Sequence, residues 1–280
     1  MIHRFLAFLF LLCAGIPAQA ADLEPTKNAG PYVPSPQSVV ADMLRYADVG
    51  PGDFIIDLGS GDGRIVLTAA KVFGARGFGV EIKEDLVKRS NEAAQKEGLA
   101  DRVKFIKQDL FKTDISQATV VSMYLLPDTV NLLKDKFLAE LKPGTRIVSH
   151  DYGLSGWIPE KYAQFDLEDK VHISGVTTTI IWLYLVPAKV AGNWSLQVPG
   201  SFSKRPVSLQ LKQQLTRVSG SAWVDGKEVP LEDVRLRGDR ISFKLVGRKG
   251  EFTGQIRERS IEGTLETGNS KAPWSASLSG

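Results

Sequence analysis

The feature that most constrains this chain is a short apolar run, Phe54-Ile55-Ile56. It leads through Asp57 and Leu58 into Gly59-Ser60-Gly61-Asp62-Gly63 and then directly into a helical pattern. Glycine tolerates positive φ and lets a backbone come close to a ligand. A helix that begins straight after such a loop presents unpaired amides at its N-terminus. A buried strand, a glycine turn and a helix in that order make half of a βαβ unit, and the turn then lies at the carboxyl end of a parallel sheet, where ligands bind in such folds.

The flanking sequence continues the alternation. Strands are expected at Phe54 to Leu58, Gly77 to Ile82, Val103 to Ile106, Thr119 to Met123 and Arg146 to Ser149. Helices are expected at Arg64 to Phe73, Glu84 to Glu97 and Thr129 to Leu141, the last closed by Lys142-Pro143-Gly144. Ser35 or Ser38 is placed to cap a first helix through Val39 to Leu44. This pattern predicts an α/β fold, Rossmann-like, with a mostly parallel doubly wound sheet. The β-branched and aromatic run Thr177 to Val186 suits a closing strand or hairpin arm.

From Trp194 onward the period changes to strict alternation, as in Val207-Ser208-Leu209-Gln210-Leu211 and Ile241-Ser242-Phe243-Lys244-Leu245, with turn signals between. That predicts a small all-β C-terminal domain, sandwich or barrel, with Trp194, Trp223 and Trp274 in its core. The expected division is a leader at 1–20, an extended lead-in at 21–34, an α/β domain at 35–187 and the β domain at 193–280.

At the N-terminus, His3 and Arg4 precede an apolar run from Phe5 to Ile16, and Ala18-Gln19-Ala20 follows. The run is shorter than the roughly 20 residues a membrane-spanning helix needs. It reads as a signal peptide for export, with an uncleaved membrane anchor as the alternative. Cys13 is the only cysteine, so a chain starting near Ala21 would have no disulfide, thiolate zinc site or cysteine nucleophile. The formal net charge of +3 comes from Lys and Arg spread along the chain, which indicates no nucleic-acid partner.

Two ligands compete for the glycine turn. A dinucleotide fingerprint, G-x-G-x-x-G counted from Gly59, would need its last glycine where Arg64 stands. The sequence has D-x-G-x-G-x-G instead. A carboxylate at Asp57 would repel a pyrophosphate but suits the ammonium at the methionine end of S-adenosyl-L-methionine. On that reading Gly59, Ser60, Gly61 and Gly63 shape the loop. Glu81, at the end of the second strand, accepts from both ribose hydroxyls. Asp109 accepts from the adenine amino group, or alternatively caps a turn, with Leu110 and Phe111 beside the base.

The acceptor would approach the ends of the fourth and fifth strands, where Tyr124, His150 and Asp151 are the candidate catalytic residues. Tyr124 could equally be a packed aromatic, and His150 and Asp151 could equally be structural. Asp128 is placed to cap the helix beginning at Thr129. An Asn-Pro-Pro-Tyr/Phe motif, used on amide or adenine nitrogens, is absent.

Across about residues 35–186 the chain resembles the class I S-adenosylmethionine-dependent methyltransferases. More narrowly, it resembles the family of the lysine methyltransferases that act on the ATP synthase c-subunit and the adenine nucleotide translocase. The likeness lies in Pro31-Tyr32-Val33-Pro34, in the helix that follows, in Asp57 through Val66, and in a proline soon after the fourth strand. The resemblance implies methyl transfer to a lysine amine of a protein, with a membrane-associated protein as the candidate acceptor. A small-molecule or lipid acceptor, and a non-catalytic module that binds a nucleoside or a partner on the same fold, remain open.

Overall fold

The computed structural model describes residues 30–279, so the expected signal peptide and most of the lead-in lie outside the described residues. A seven-stranded sheet has the order β3-β2-β1-β4-β5-β7-β6. Its strands are β1 (Phe54–Leu58), β2 (Arg76–Glu81), β3 (Val103–Lys107), β4 (Val120–Met123), β5 (Arg146–His150), β6 (Lys161–Asp166) and β7 (Thr178–Leu185). β1 to β5 pair in parallel, while β7 runs antiparallel to both β5 and β6.

Neighbouring residues of each central strand bury on opposite faces. Ile55 joins a core beneath α1 (Gln37–Tyr46), α2 (Arg64–Phe73) and α3 (Glu84–Lys96). Ile56 joins the core beneath α4 (Pro127–Leu132) and α5 (Lys134–Glu140). A strand buried on both sides has to read as a continuous apolar run, as Phe54-Ile55-Ile56 does.

Several local expectations change. α1 follows Pro36, and neither Ser35 nor Ser38 caps it; the Ser35 hydroxyl is bonded to His150 instead. The expected helix from Thr129 begins at Pro127, whose fixed φ suits a first helical turn, so Asp128 lies within that turn and caps nothing. It also divides at Leu133. The Asn131 side chain donates to the Pro127 carbonyl at 2.8 Å and accepts from the Ser155 N–H, drawing backbone partners away from the helix. β6 has no counterpart among the expected strands. It is an edge strand, and its burial alternates weakly.

The C-terminal strands form a closed barrel in the order β10-β11-β12-β13-β14-β15-β8-β9. They are β8 (Gly192–Gln197), β9 (Val207–Gln214), β10 (Arg217–Val224), β11 (Lys227–Arg237), β12 (Arg240–Leu245), β13 (Glu251–Arg257), β14 (Ser260–Thr267) and β15 (Ser270–Leu278). Closure leaves no sheet edge unpaired. The interior is filled: Phe243 stacks on Phe252 at 4.9 Å, and the Trp274 ring meets both edge-on. Trp194 is buried with them. Trp223 departs from expectation, because Ala222 and Val224 point inward and the two-residue period turns Trp223 outward.

The barrel meets the α/β part at its turns. Ala188 N–H donates to the Gly238 carbonyl at 2.8 Å, and Arg237 pairs with Glu160 at 2.6 Å. No helix among the described residues is long and apolar enough to cross a membrane.

Candidate active site

The turn after β1 folds back on the sheet, since the N–H groups of Gly59 and Ser60 both donate to the Val80 carbonyl, at 3.0 and 2.9 Å. Gly59, Gly61 and Gly63 all have positive φ, at 81°, 53° and 81°. At Gly61 the requirement is also spatial. A Cβ there would sit 2.6 Å from the Tyr32 ring, which lies over the loop.

Asp57 is 2 % exposed and accepts from the Ser122 hydroxyl at 2.8 Å. Burial, together with the nearby charges of Glu81 and Asp62, pushes its carboxyl up to about 7, despite the Ser122 bond. Among the described residues no cation pairs with it. Ser60 Oγ is likewise buried without a hydrogen-bond partner. Glu81 accepts from Gly61 N–H on one oxygen, at 3.0 Å, and from Ile82 and Lys83 N–H on the other, at 2.8 and 3.0 Å. These donors tie the carboxylate to the loop. Asp109 accepts from Phe111 N–H at 2.9 Å, so it does cap the short turn Leu110–Lys112; a carboxylate has further lone pairs, and capping leaves the adenine role open.

Asp57, Gly59, Ser60, Gly61, Glu81, Asp109, Leu110 and Tyr124 line one cleft. Gly63 does not. It starts α2 behind the loop, tight against Phe105 and Ser90. The buried acid, the unpartnered hydroxyl and the loop-held Glu81 carboxylate fit S-adenosylmethionine, with its ammonium, hydroxyls and adenine.

Further residues that the motif reading did not assign line the cleft, among them the segment before α1 and Arg64. Residues 30–35, the end of the lead-in and Ser35, form one wall. Arg64 holds them there, donating to the Ser35 carbonyl at 2.7 Å while its guanidinium pairs with Asp62 at 2.6 Å. The proline-rich Pro31-Tyr32-Val33-Pro34 was the available signal.

On the acceptor side, Tyr124 donates to Asp151 Oδ2 at 3.1 Å and its ring lies 4.1 Å from that of His150. Burial and the Asp151 charge push the Tyr124 hydroxyl well above its ordinary range. His150 is fully buried behind Tyr124, and burial holds its pKa down to about 4. It is therefore neutral at pH 7. Asp151 adopts a left-handed conformation, φ 60°, and also binds Lys170. Lys170 sits in the polar run Glu168-Asp169-Lys170, which reads as solvated surface, so no sequence signal pointed to it.

A parallel sheet closed by an antiparallel seventh strand, with a glycine cleft at the carboxyl end, defines the class I S-adenosylmethionine-dependent methyltransferases. Comparison with known proteins narrows the class. The family described as "ANTKMT methyltransferase domain" matches residues 57–161. A protein-lysine N-methyltransferase of Saccharolobus islandicus is 41 % identical over 157 residues, which cover 56 % of this chain and 93 % of the relative. The chain belongs to this methyltransferase family. The adenine nucleotide translocase lysine N-methyltransferase of Mus musculus is 33 % identical, with 57 % of this chain and 65 % of the relative covered. The ATP synthase C-subunit lysine N-methyltransferase of Xenopus laevis is 30 % identical, with 55 % and 62 % covered. The chain thus spans just under two thirds of these two animal relatives. Among solved structures, an RNA methyltransferase from Salinibacter ruber in complex with S-adenosyl-L-homocysteine is 44 % identical, with a TM-score of 0.51, covering 56 % of this chain and 96 % of that one.

Proposed function

We propose that this methyltransferase modifies the side-chain amine of lysine in a protein, and that the acceptor is membrane-associated. The observation that carries the amine reading is the Tyr124–Asp151 hydrogen bond beside the cofactor cleft. Tyr124 points its hydroxyl hydrogen at Asp151 in that bond, which leaves only oxygen lone pairs facing elsewhere. Such a group accepts an N–H from an amine and orients the nitrogen lone pair. The names of the archaeal and animal relatives support lysine, and the apolar run at 5–16 supports delivery to a membrane.

In this reading Asp57 meets the cofactor's ammonium, Glu81 its ribose hydroxyls and Asp109 its adenine amino group. Leu110 flanks the base, and Gly59, Ser60, Gly61 and Gly63 set the loop. The bound cofactor supplies the activated methyl group and its own leaving group. The chain aligns the acceptor. His150, neutral and buried, supports the Tyr124 ring rather than exchanging protons at pH 7.

Calorimetric titration of S-adenosylmethionine into the wild-type chain and Asp57→Ala tests the cofactor site, with saturable binding expected only in the wild type. The acceptor is tested by supplying radiolabelled methyl donor to extracts of cells lacking the gene, then adding back the protein. Label is expected as methyllysine in membrane-fraction protein. Label in RNA or lipid instead would overturn the lysine assignment.

A further inference from the structure

Lys170 is, among the described residues, the one lysine or arginine taken out of water, at 1 % exposure. It ends the short turn Glu168–Lys170 in the β6–β7 connection. Its ammonium donates to Asp151 Oδ1 at 2.7 Å and to the Thr178 carbonyl. The same carboxylate oxygen accepts from Ile180 N–H at 3.2 Å, and the other accepts from the Tyr124 hydroxyl. The Asp151 backbone is held as well: its N–H donates to the Ile180 carbonyl at 2.7 Å, and its carbonyl accepts from the Trp182 indole at 3.0 Å. Backbone bonds thus fix where Asp151 stands, and Lys170 supplies the one charge that balances it.

A buried ion pair is weak evidence for stability, because desolvating both charges offsets most of their attraction. Its place matters more: it lies one hydrogen bond behind the hydroxyl that lines the cleft. We propose that Lys170 is a positioning residue for methyl transfer, holding Asp151 as a fixed, charge-balanced carboxylate that keeps the Tyr124 hydroxyl hydrogen pointed away from the acceptor and its oxygen lone pairs toward it. Its part in transfer rests on the acceptor being an amine.

The charge balance has a chemical consequence. An acceptor amine must lose its proton to solvent before its lone pair can attack. A lone carboxylate this close would favour the protonated, unreactive form. Lys170 cancels that field. The other titratable groups facing the cluster are His150, with Nε2 3.5 Å from Asp151 Oδ1, and Tyr152, whose ring lies 6.5 Å from Tyr124. Neither supplies a positive charge at neutral pH.

The test uses the full chain labelled with carbon-13 at tyrosine Cζ, with the Tyr124 signal assigned by its loss in Tyr124→Phe. That signal is expected at the same position in the wild type and Lys170→Arg, because either cation balances the Asp151 carboxylate to which the Tyr124 hydroxyl donates. In Lys170→Met it should be displaced, because a carboxylate without its counter-charge draws the Tyr124 hydroxyl hydrogen more strongly, and in an Asp151→Asn background Lys170→Met should displace it no further. S-adenosylmethionine affinity should stay within about threefold of wild type in Lys170→Met, because the pair lies outside the cofactor groups.

An unmoved Tyr124 signal in Lys170→Met, or a parallel loss of cofactor affinity, overturns the proposal. If Lys170→Met does not fold, Asp151→Asn alone decides: it should displace the Tyr124 signal by removing the anionic acceptor, and an unmoved signal overturns the claim. If the wild type binds no cofactor, the methyltransferase reading fails separately, while the position of the Tyr124 signal still judges the positioning claim.

Discussion

Two buried titrating groups give the unliganded protein opposite pH responses. Asp57 is an acid whose pKa is raised by folding to about 7, so the folded chain holds its proton more tightly than the unfolded chain. Its contribution is favourable at low pH and is lost as pH rises from about 4 toward 7, by about 4 kcal/mol for a shift of that size. His150 is a base whose pKa is lowered to about 4. Its neutral form is favoured above the ordinary histidine range, and stability is lost as pH falls from about 6.5 toward 4, by about 3 kcal/mol. Between those limits the two offset each other. Urea unfolding across about pH 4 to 8 should therefore show a steeper acid loss in Asp57→Asn and a loss toward neutral pH in His150→Gln. Identical profiles for wild type and both variants would contradict the burial argument. Cofactor binding follows the same group. Where Asp57 must ionise to meet an ammonium, binding of S-adenosylmethionine should tighten by up to about tenfold per unit as pH rises toward 7, a dependence lost in Asp57→Asn.

At the scale of elements, the β1–loop–α2 unit works because its neighbours leave it room. Gly77 on β2 shows this most directly: a Cβ there would lie 1.9 Å from the Ile55 carbonyl oxygen, which is backbone and cannot yield. Gly77→Ala should destabilise the fold by more than about 3 kcal/mol, since it must push two central strands apart. Thermal unfolding monitored by circular dichroism reads that loss, and an unchanged midpoint would mean the strands can separate. Much of this element level is legible in the sequence. The strands and the first two βα helices fall where apolar runs and glycines put them, because local period and turn chemistry decide both. The edge strand β6 is not legible, since Lys161 to Asp166 is half exposed and carries little apolar pattern. The break at Leu133 is hidden for another reason: the Asn131 side chain reaches Ser155, which is distant in sequence.

For the whole molecule, the archaeal relative is matched over 93 % of its length by 157 residues, so the α/β part has a counterpart without room for a barrel. The barrel has its own filled core. A chain ending at Pro187 is therefore expected to fold and to bind S-adenosylmethionine within about tenfold of the full chain. Calorimetry on the shortened chain checks this. Loss of binding by a folded fragment would make the barrel part of the cofactor site, through contacts such as Arg237 with Glu160.

By itself the sequence determined the class of fold, the glycine turn after the first strand, the acids at 57, 81 and 109 that line one cleft beside it, and the change to a β domain near Trp194. Each of these rests on short-range pattern: a two-residue or helical period, glycines where φ turns positive, and an acid at a strand end. The tertiary structure decided what depends on distant residues meeting. It closed the C-terminal strands into a barrel, brought Tyr32 over the glycine loop and the Ser35 carbonyl to Arg64, and set the Ser35 hydroxyl against His150. It also buried Lys170 under Asp151, although in sequence Lys170 is one charge in a polar run. A charge enters the interior only where a partner waits, and that partner lies 19 residues away along the chain.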